Sequence, residues 1–249
     1  NKPYDVSVQA ANKNELSLDT IIQQNTITNS LSFRPGPLHR LDRRTTGVLV
    51  FSQSLAGAQW FSKAIKEKSI QREYVGLLCG HLEEVCVWEN YIDDTYKKTG
   101  NFRTVEVVKN SSQGKEAITY VSPLAVANIC ALNKKIPVTL VSFRIETGRM
   151  HQIRAQASFY NHPLAGDSAY SSDKYTDVYL NTFNINRCVH AASIPEFLLH
   201  AIQLKIPTNP VDLPSIVTAP IPCFFKTIIE TYFASFDVSS YNGVLYEHI

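Results

Sequence analysis

The run His39-Arg40-Leu41-Asp42-Arg43-Arg44-Thr45-Thr46-Gly47 sets one carboxylate among three arginines, directly ahead of the apolar stretch Val48-Leu49-Val50-Phe51. The apolar stretch reads as a strand, and the loop leading into it carries chemistry rather than packing. An opposite charge within a few Å favours the ionised form of a carboxyl group, so Asp42 is expected to be a carboxylate. The same arginines can hold phosphates on either side of a nucleotide. A nucleophile and a phosphate grip would then share one loop.

Composition bounds what surrounds that loop. The chain has 249 residues, 44% of them apolar, with 12 Phe and 12 Tyr, enough for a substantial core. A formal net charge of +2 and a pI near 8.2 are too mild for a histone-like partner, so any basic surface must be local. Cys79, Cys86, Cys130, Cys188 and Cys223 show no C-x-x-C spacing, which argues against a zinc ribbon, a redox motif or a disulfide scaffold; reduced, buried thiols are expected. No apolar run approaches the ~20 residues of a membrane span, and the first residues lack a signal peptide's apolar core, so a soluble protein is expected. The sole methionine is Met150, and a true N-terminus upstream of Asn1 is expected.

Along the chain, a helix-like stretch spans about Leu16 to Gln24, and the polar segment Asn25 to Ser32 leads to Arg34-Pro35-Gly36-Pro37, a cluster suited to hold the reactive loop extended. A strand is expected over Gly47 to Phe51. Ser54 reads as the N-cap of a helix to about Lys68, with Leu55, Ala58, Phe61 and Ile65 on one face. Ile70 to Leu78 reads as a strand, Gly80 to Gly114 as short antiparallel strands, and Pro137 to Glu146 as a further strand. A helix opened by Gly148 would place Arg154 on the face of His151, with Ile153 and Ala157 toward the core.

Two blocks carry a resemblance. His39 to Gly47 resembles H-R-L-D-x-x-T-[ST]-G, and Thr147-Gly148-Arg149-Met150-His151-Gln152-Ile153-Arg154 followed by His162-Pro163-Leu164-Ala165-Gly166-Asp167-Ser168-Ala169-Tyr170 resembles T-G-R-x-H-Q-[IL]-R and [HK]-P-[IL]-x-G-D-x-x-Y. Both resemble the RluA-type pseudouridine synthases. Weaker matches are Asn1-Lys2-Pro3, Arg72-Glu73-Tyr74 to Gly80, Gly114 to Tyr120, and Leu198-Leu199-His200-Ala201 with the turn Ala219-Pro220-Ile221-Pro222. Thr46 stands where Ser is common, and Ala155-Gln156 replaces a Val-His pair, which puts substrate contacts in doubt.

The resemblance implies an α+β fold, with a mixed, mainly antiparallel central sheet in two halves, flanking helices and a central catalytic cleft. It implies a catalytic domain over 1–226 and an extension over 227–249. It makes Asp42, Tyr74 and Arg154 the catalytic residues, with Arg154 ion-paired to the aspartate, and Arg40, Arg43, Arg44, Arg149 and His151 RNA contacts. For each arginine alone a solvated surface charge is the plain alternative, and for Tyr74 a core position. No metal, nucleotide or redox cofactor is implied, and His39, His151, His162 and Asp167 lack metal-ligand spacing. Gly166-Asp167 reads as a turn whose carboxylate caps local amides.

The expected function is isomerisation of a uridine in structured RNA. Lacking an appended RNA-binding module, the enzyme would read a stem-loop by shape as well as by splayed bases. The Asn- and Ile-rich, Gly-poor composition has yeast character, and the resemblance implies an enzyme of mitochondrial large-subunit ribosomal RNA, expected to be a monomer with no membrane partner. A tRNA-directed or cytoplasmic relative is one alternative. The other is a silent RNA-binding or ribosome-assembly protein, against which the presence of Asp42, Tyr74 and Arg154 speaks.

Overall fold

The structure is a computed structural model that describes residues 1–10, 15–26, 33–99, 102–131, 134–171, 196–207 and 213–237. Cys188 and the chain after residue 237 lie outside the described residues. Two compact units are formed, one from residues 1–72 with 201–220 and one from 73–200 with 221–249. The boundary expected at residue 226 falls inside a helix, Cys223–Tyr232. The expected mixed α+β architecture with mainly antiparallel strands is what the structure shows.

The first unit holds α1 (Leu18–Asn25), β1 (Thr46–Gly47) and α2 (Leu55–Lys66). Ser17 caps α1 by accepting from Thr20 N–H, and Ser54 caps α2 by accepting from Gly57 N–H, each satisfying a donor that a helix start leaves unpaired. Phe61 and Ala64 of α2 are buried with Val48, Ile70, Leu204, Ile206 and Ala219, whereas Leu55, expected on that face, is exposed.

The strand expected over Gly47 to Phe51 is reduced to Thr46–Gly47, and the reason lies opposite it. Leu38 N–H donates to Val50 O and Ser52 N–H to Gly36 O, with one bridge from Pro37 to Phe51. Pro35 and Pro37 have no N–H to extend this pairing into a ladder. Gly47 is obligatory here: its φ is +113°, and a Cβ would lie 2.1 Å from the carbonyl oxygen of Ala201, at the start of the first unit's share of β7 (Leu199–Lys205). β8 (Ile216–Thr218) pairs antiparallel with β7.

The second unit is dominated by β2 (Gln71–Cys79, from Glu73), β3 (Cys86–Thr99), β4 (Phe102–Val108), β5 (Lys115–Ala131) and β6 (Lys134–Ile145). The middle strands are longer than expected. β6-β5-β3-β4 is antiparallel throughout, and its irregularities mark where the sequence disfavours a ladder. Pro123, lacking a donor, sits where the β5–β6 register shifts, and a second shift in β3–β4 lies between Asp93 and Lys97. α3 (Gln152–Phe159) and α4 (Cys223–Tyr232) complete the unit. From Arg72 onward both faces of β2 are buried, Tyr74 among them.

Candidate active site

The Asp42 loop is held at both ends. His39 stacks on Phe61 with ring centroids 6.2 Å apart, and its Nε2 accepts Val50 N–H at 3.2 Å, which leaves the proton on Nδ1. At the far end Thr45 N–H donates to Asp42 O at 3.1 Å, closing a turn, and Thr45 and Thr46 are buried. Asp42 itself is half-buried. Burial, reinforced by the charge of Arg72, pushes the His39 imidazole down to about 4. The unfolded chain would bind a proton near 6.5 and the folded one only near 4, so stability falls as pH drops through that window. In urea titrations between pH 7 and 4, His39→Gln is expected to lose less stability than the parent; identical pH slopes would remove the histidine from the loop's anchoring.

The N-terminal segment, for which only the Asn-Lys-Pro match was visible in the sequence, fixes the loop from below. Lys2 is 2% exposed, and its ammonium donates to the carbonyls of Pro3 at 3.0 Å, Val6 at 2.7 Å and Arg43 at 2.7 Å. Burial lowers its pKa to about 8, partly offset by the nearby charges of Asp42 and Asp5. Its backbone exchanges two hydrogen bonds with Gly47. Arg43 Nε donates to Asp5 Oδ1 at 3.0 Å and Arg44 Nε lies 3.9 Å from the same oxygen, so two candidate phosphate contacts lean on one carboxylate. Arg40 is exposed, with no ion pair among the described residues.

The second block lies in the second unit. His151 adopts the left-handed conformation, φ 51°, so α3 starts at Gln152 and not at Gly148. This corrects the shared-face argument: His151 precedes the helix, while Ile153, Arg154 and Ala157 are all buried within it. The Arg154 fork grips Asp167, Nε to Oδ2 at 2.7 Å and Nη2 to Oδ1 at 2.9 Å, with the pair 8% and 1% exposed. The rings of Tyr170 and Phe197 lie 4.9 and 4.4 Å from its guanidinium carbon. Asp167 also takes Ala169 N–H at 3.3 Å, the turn role expected of it, but its main partner is thirteen residues upstream. Arg149 Nε donates to Glu116 O at 2.8 Å, and His151 Nδ1 lies 2.8 Å from Tyr170 Oη. Among the described residues no group of three His, Cys, Asp or Glu side chains is placed to hold a metal ion.

With this geometry in hand, similarity to known proteins is decisive: residues 1–159 match the family described as RNA pseudouridylate synthase. The chain belongs to that family. It is similar to "Ribosomal large subunit pseudouridine synthase C" of Buchnera aphidicola, 32% identical over 198 residues, which cover 78% of this chain and 55% of the relative. It thus spans about half the length of that relative. It is also similar to "tRNA pseudouridine synthase C" of Vibrio parahaemolyticus, 28% identical over 82% of this chain and 78% of the relative. The solved structure of human RNA Pseudouridylate Synthase Domain Containing 4 shares the fold, with a TM-score of 0.67 at 21% identity over 92% of this chain and 87% of that one.

Ala155-Gln156 is one of the two departures from the pseudouridylate synthase family's pattern, Thr46 being the other. The structure assigns Gln156 to the interior. It is fully buried; its Nε2 lies 3.0 Å from the carbonyl oxygens of Trp88 and Ala117 and from Asn90 Oδ1, and its Oε1 accepts from Thr119 at 2.6 Å. One turn earlier, Gln152 accepts from Thr147 Oγ1 and Arg149 N–H and donates to Ile118 O and Thr119 Oγ1. The two amides staple α3 to β3 and β5. Of the expected site residues, Asp42, Arg40, Arg43 and Arg44 share one loop of the first unit, and Tyr74, Arg149, His151 and Arg154 belong to the second.

Proposed function

We propose that this protein isomerises a uridine to pseudouridine in structured RNA, with Asp42 as the nucleophilic carboxylate. The observation that supports it most is the Asp42 loop, anchored at His39, Lys2 and Gly47 inside the family match, so that a half-buried carboxylate is presented among arginines on a fixed backbone. In the reaction the C1′–N1 bond breaks, the uracil turns while it stays bound, and C5 joins C1′. The C5 proton leaves and N1 takes one up, so the product is an isomer. Asp42 assists from the sugar or the C6 side of the base, Tyr74 stacks on the uracil or moves a proton on it, and the arginines hold phosphates.

The RNA we favour is mitochondrial large-subunit ribosomal RNA, in line with the 32% identity to a synthase named for the ribosomal large subunit. A tRNA target is the second reading, supported by the relative named "tRNA pseudouridine synthase C". The test is release of tritium from RNA transcribed with C5-tritiated uridine, using ribosomal and transfer RNA in parallel. Stoichiometric release from one of them, undiminished after exhaustive dialysis against EDTA with RNA folding controlled separately, is expected. No release from either would reject the activity, and release from transfer RNA alone would move the target to the second reading.

A further inference from the structure

A ladder of rings and cations runs across the second unit from the buried Arg154 to the surface. Tyr170 is the node. Its ring covers the Arg154 guanidinium, its hydroxyl accepts Val105 N–H at 2.8 Å and lies 2.8 Å from His151 Nδ1, and its carbonyl accepts from Ser158. His151 meets the Tyr96 ring edge-on at 6.4 Å, and the Arg103 guanidinium carbon lies 5.8 Å over that ring. Tyr96 is 45% exposed, a large aromatic left open beside a cation.

Local backbone features bring these groups together. The register shift between Asp93 and Lys97 contains Tyr96, and an irregularity of this kind re-aims a side chain that a regular ladder would direct elsewhere. Asp93 takes Thr95 N–H at 2.9 Å and stabilises the irregular segment. His151 is held at positive φ, a conformation non-glycine residues adopt at a cost and which therefore points to a use for the side chain so presented. An exposed ring with an adjacent guanidinium fits a nucleobase and its phosphate, and stacking of this kind tolerates any base.

We propose that Tyr96, Arg103 and His151 form a stacking platform for an unpaired nucleotide of the RNA substrate, and that Tyr170 is a positioning residue that holds His151 in it. This rests on the reading of the protein as an RNA-modifying enzyme. The platform supplies affinity for single-stranded segments flanking the target, whereas the Asp42 loop performs the chemistry.

The test is fluorescence anisotropy with a labelled twelve-nucleotide single-stranded oligouridylate and a fully paired RNA duplex of equal length. Tyr96→Ala is expected to weaken binding of the single strand about tenfold and to leave duplex binding within about twofold, and Tyr96→Trp to restore it. His151→Asn, chosen because Asn tolerates the left-handed backbone, and Tyr170→Phe should each weaken single-strand binding, and the double variant should be no weaker than His151→Asn alone. Equal losses on both RNAs, or no loss for Tyr96→Ala, would overturn the platform. Additive losses in the double variant would overturn the positioning role. Tritium release by the unaltered protein is measured in the same series. If it persists while the platform variants bind normally, the inference fails alone; if the unaltered protein neither binds nor modifies RNA, the functional reading fails with it.

Discussion

Asp42→Asn is expected to reduce single-turnover tritium release by on the order of 10⁴–10⁶-fold while RNA affinity stays within a few-fold, because on the proposed mechanism it removes a nucleophile that acts as a unit with its surroundings. Asparagine keeps the shape of the side chain and loses only its charge. The fold would feel the change chiefly at the buried Lys2 ammonium, which the Asp42 charge helps to stabilise. The turn bond at Asp42 uses the backbone carbonyl, and the supports of the loop come from His39, Lys2 and Gly47. Measured at saturating enzyme, a rate within tenfold of the parent would remove Asp42 from the chemistry, and an equal loss of RNA binding would make it a binding residue.

The second large effect concerns stability. Arg154→Ala is expected to lower the unfolding free energy by about 3–5 kcal/mol, since it strips the counter-charge from a carboxylate that is 1% exposed. Asp167→Asn should cost less, because the amide still accepts from the fork. The double change Arg154→Met with Asp167→Leu should recover part of the loss, as the Tyr170 and Phe197 rings can pack on apolar atoms in place of the guanidinium. Urea unfolding of the four proteins decides the matter. A loss below about 1 kcal/mol for Arg154→Ala would class the pair with screened surface bridges.

What could be read from the sequence was what lies close together in it. The Asp42 loop is a run of neighbours, and α2 announces itself by Ser54 and the spacing of Phe61. The Lys2 tie to Arg43 spans 41 residues and rests on a backbone carbonyl, which no side-chain pattern encodes. The Arg154–Asp167 pair joins a helix to a turn across Asn161 to Gly166, and either residue alone reads as an ordinary surface charge. His151 misled because helix periodicity was extended through a residue whose backbone is left-handed. The lengths of β3 to β6 were obscured by register shifts, which interrupt the period of two on which strand recognition depends.

The glutamine staple has a consequence for tolerance. Arg154 sits midway between Gln152 and Gln156, and sliding α3 by one residue, about 1.5 Å along its axis, would break the buried amide contacts of both. Helix position is therefore quantised: α3 is seated or unseated, with no graded intermediate. Under the proposal that Arg154 serves the reaction, it must be held to about 0.5 Å to remain productive, so substitutions around the staple should divide the population into fully competent and incompetent molecules. Their signature would be a reduced burst amplitude at an unchanged rate constant.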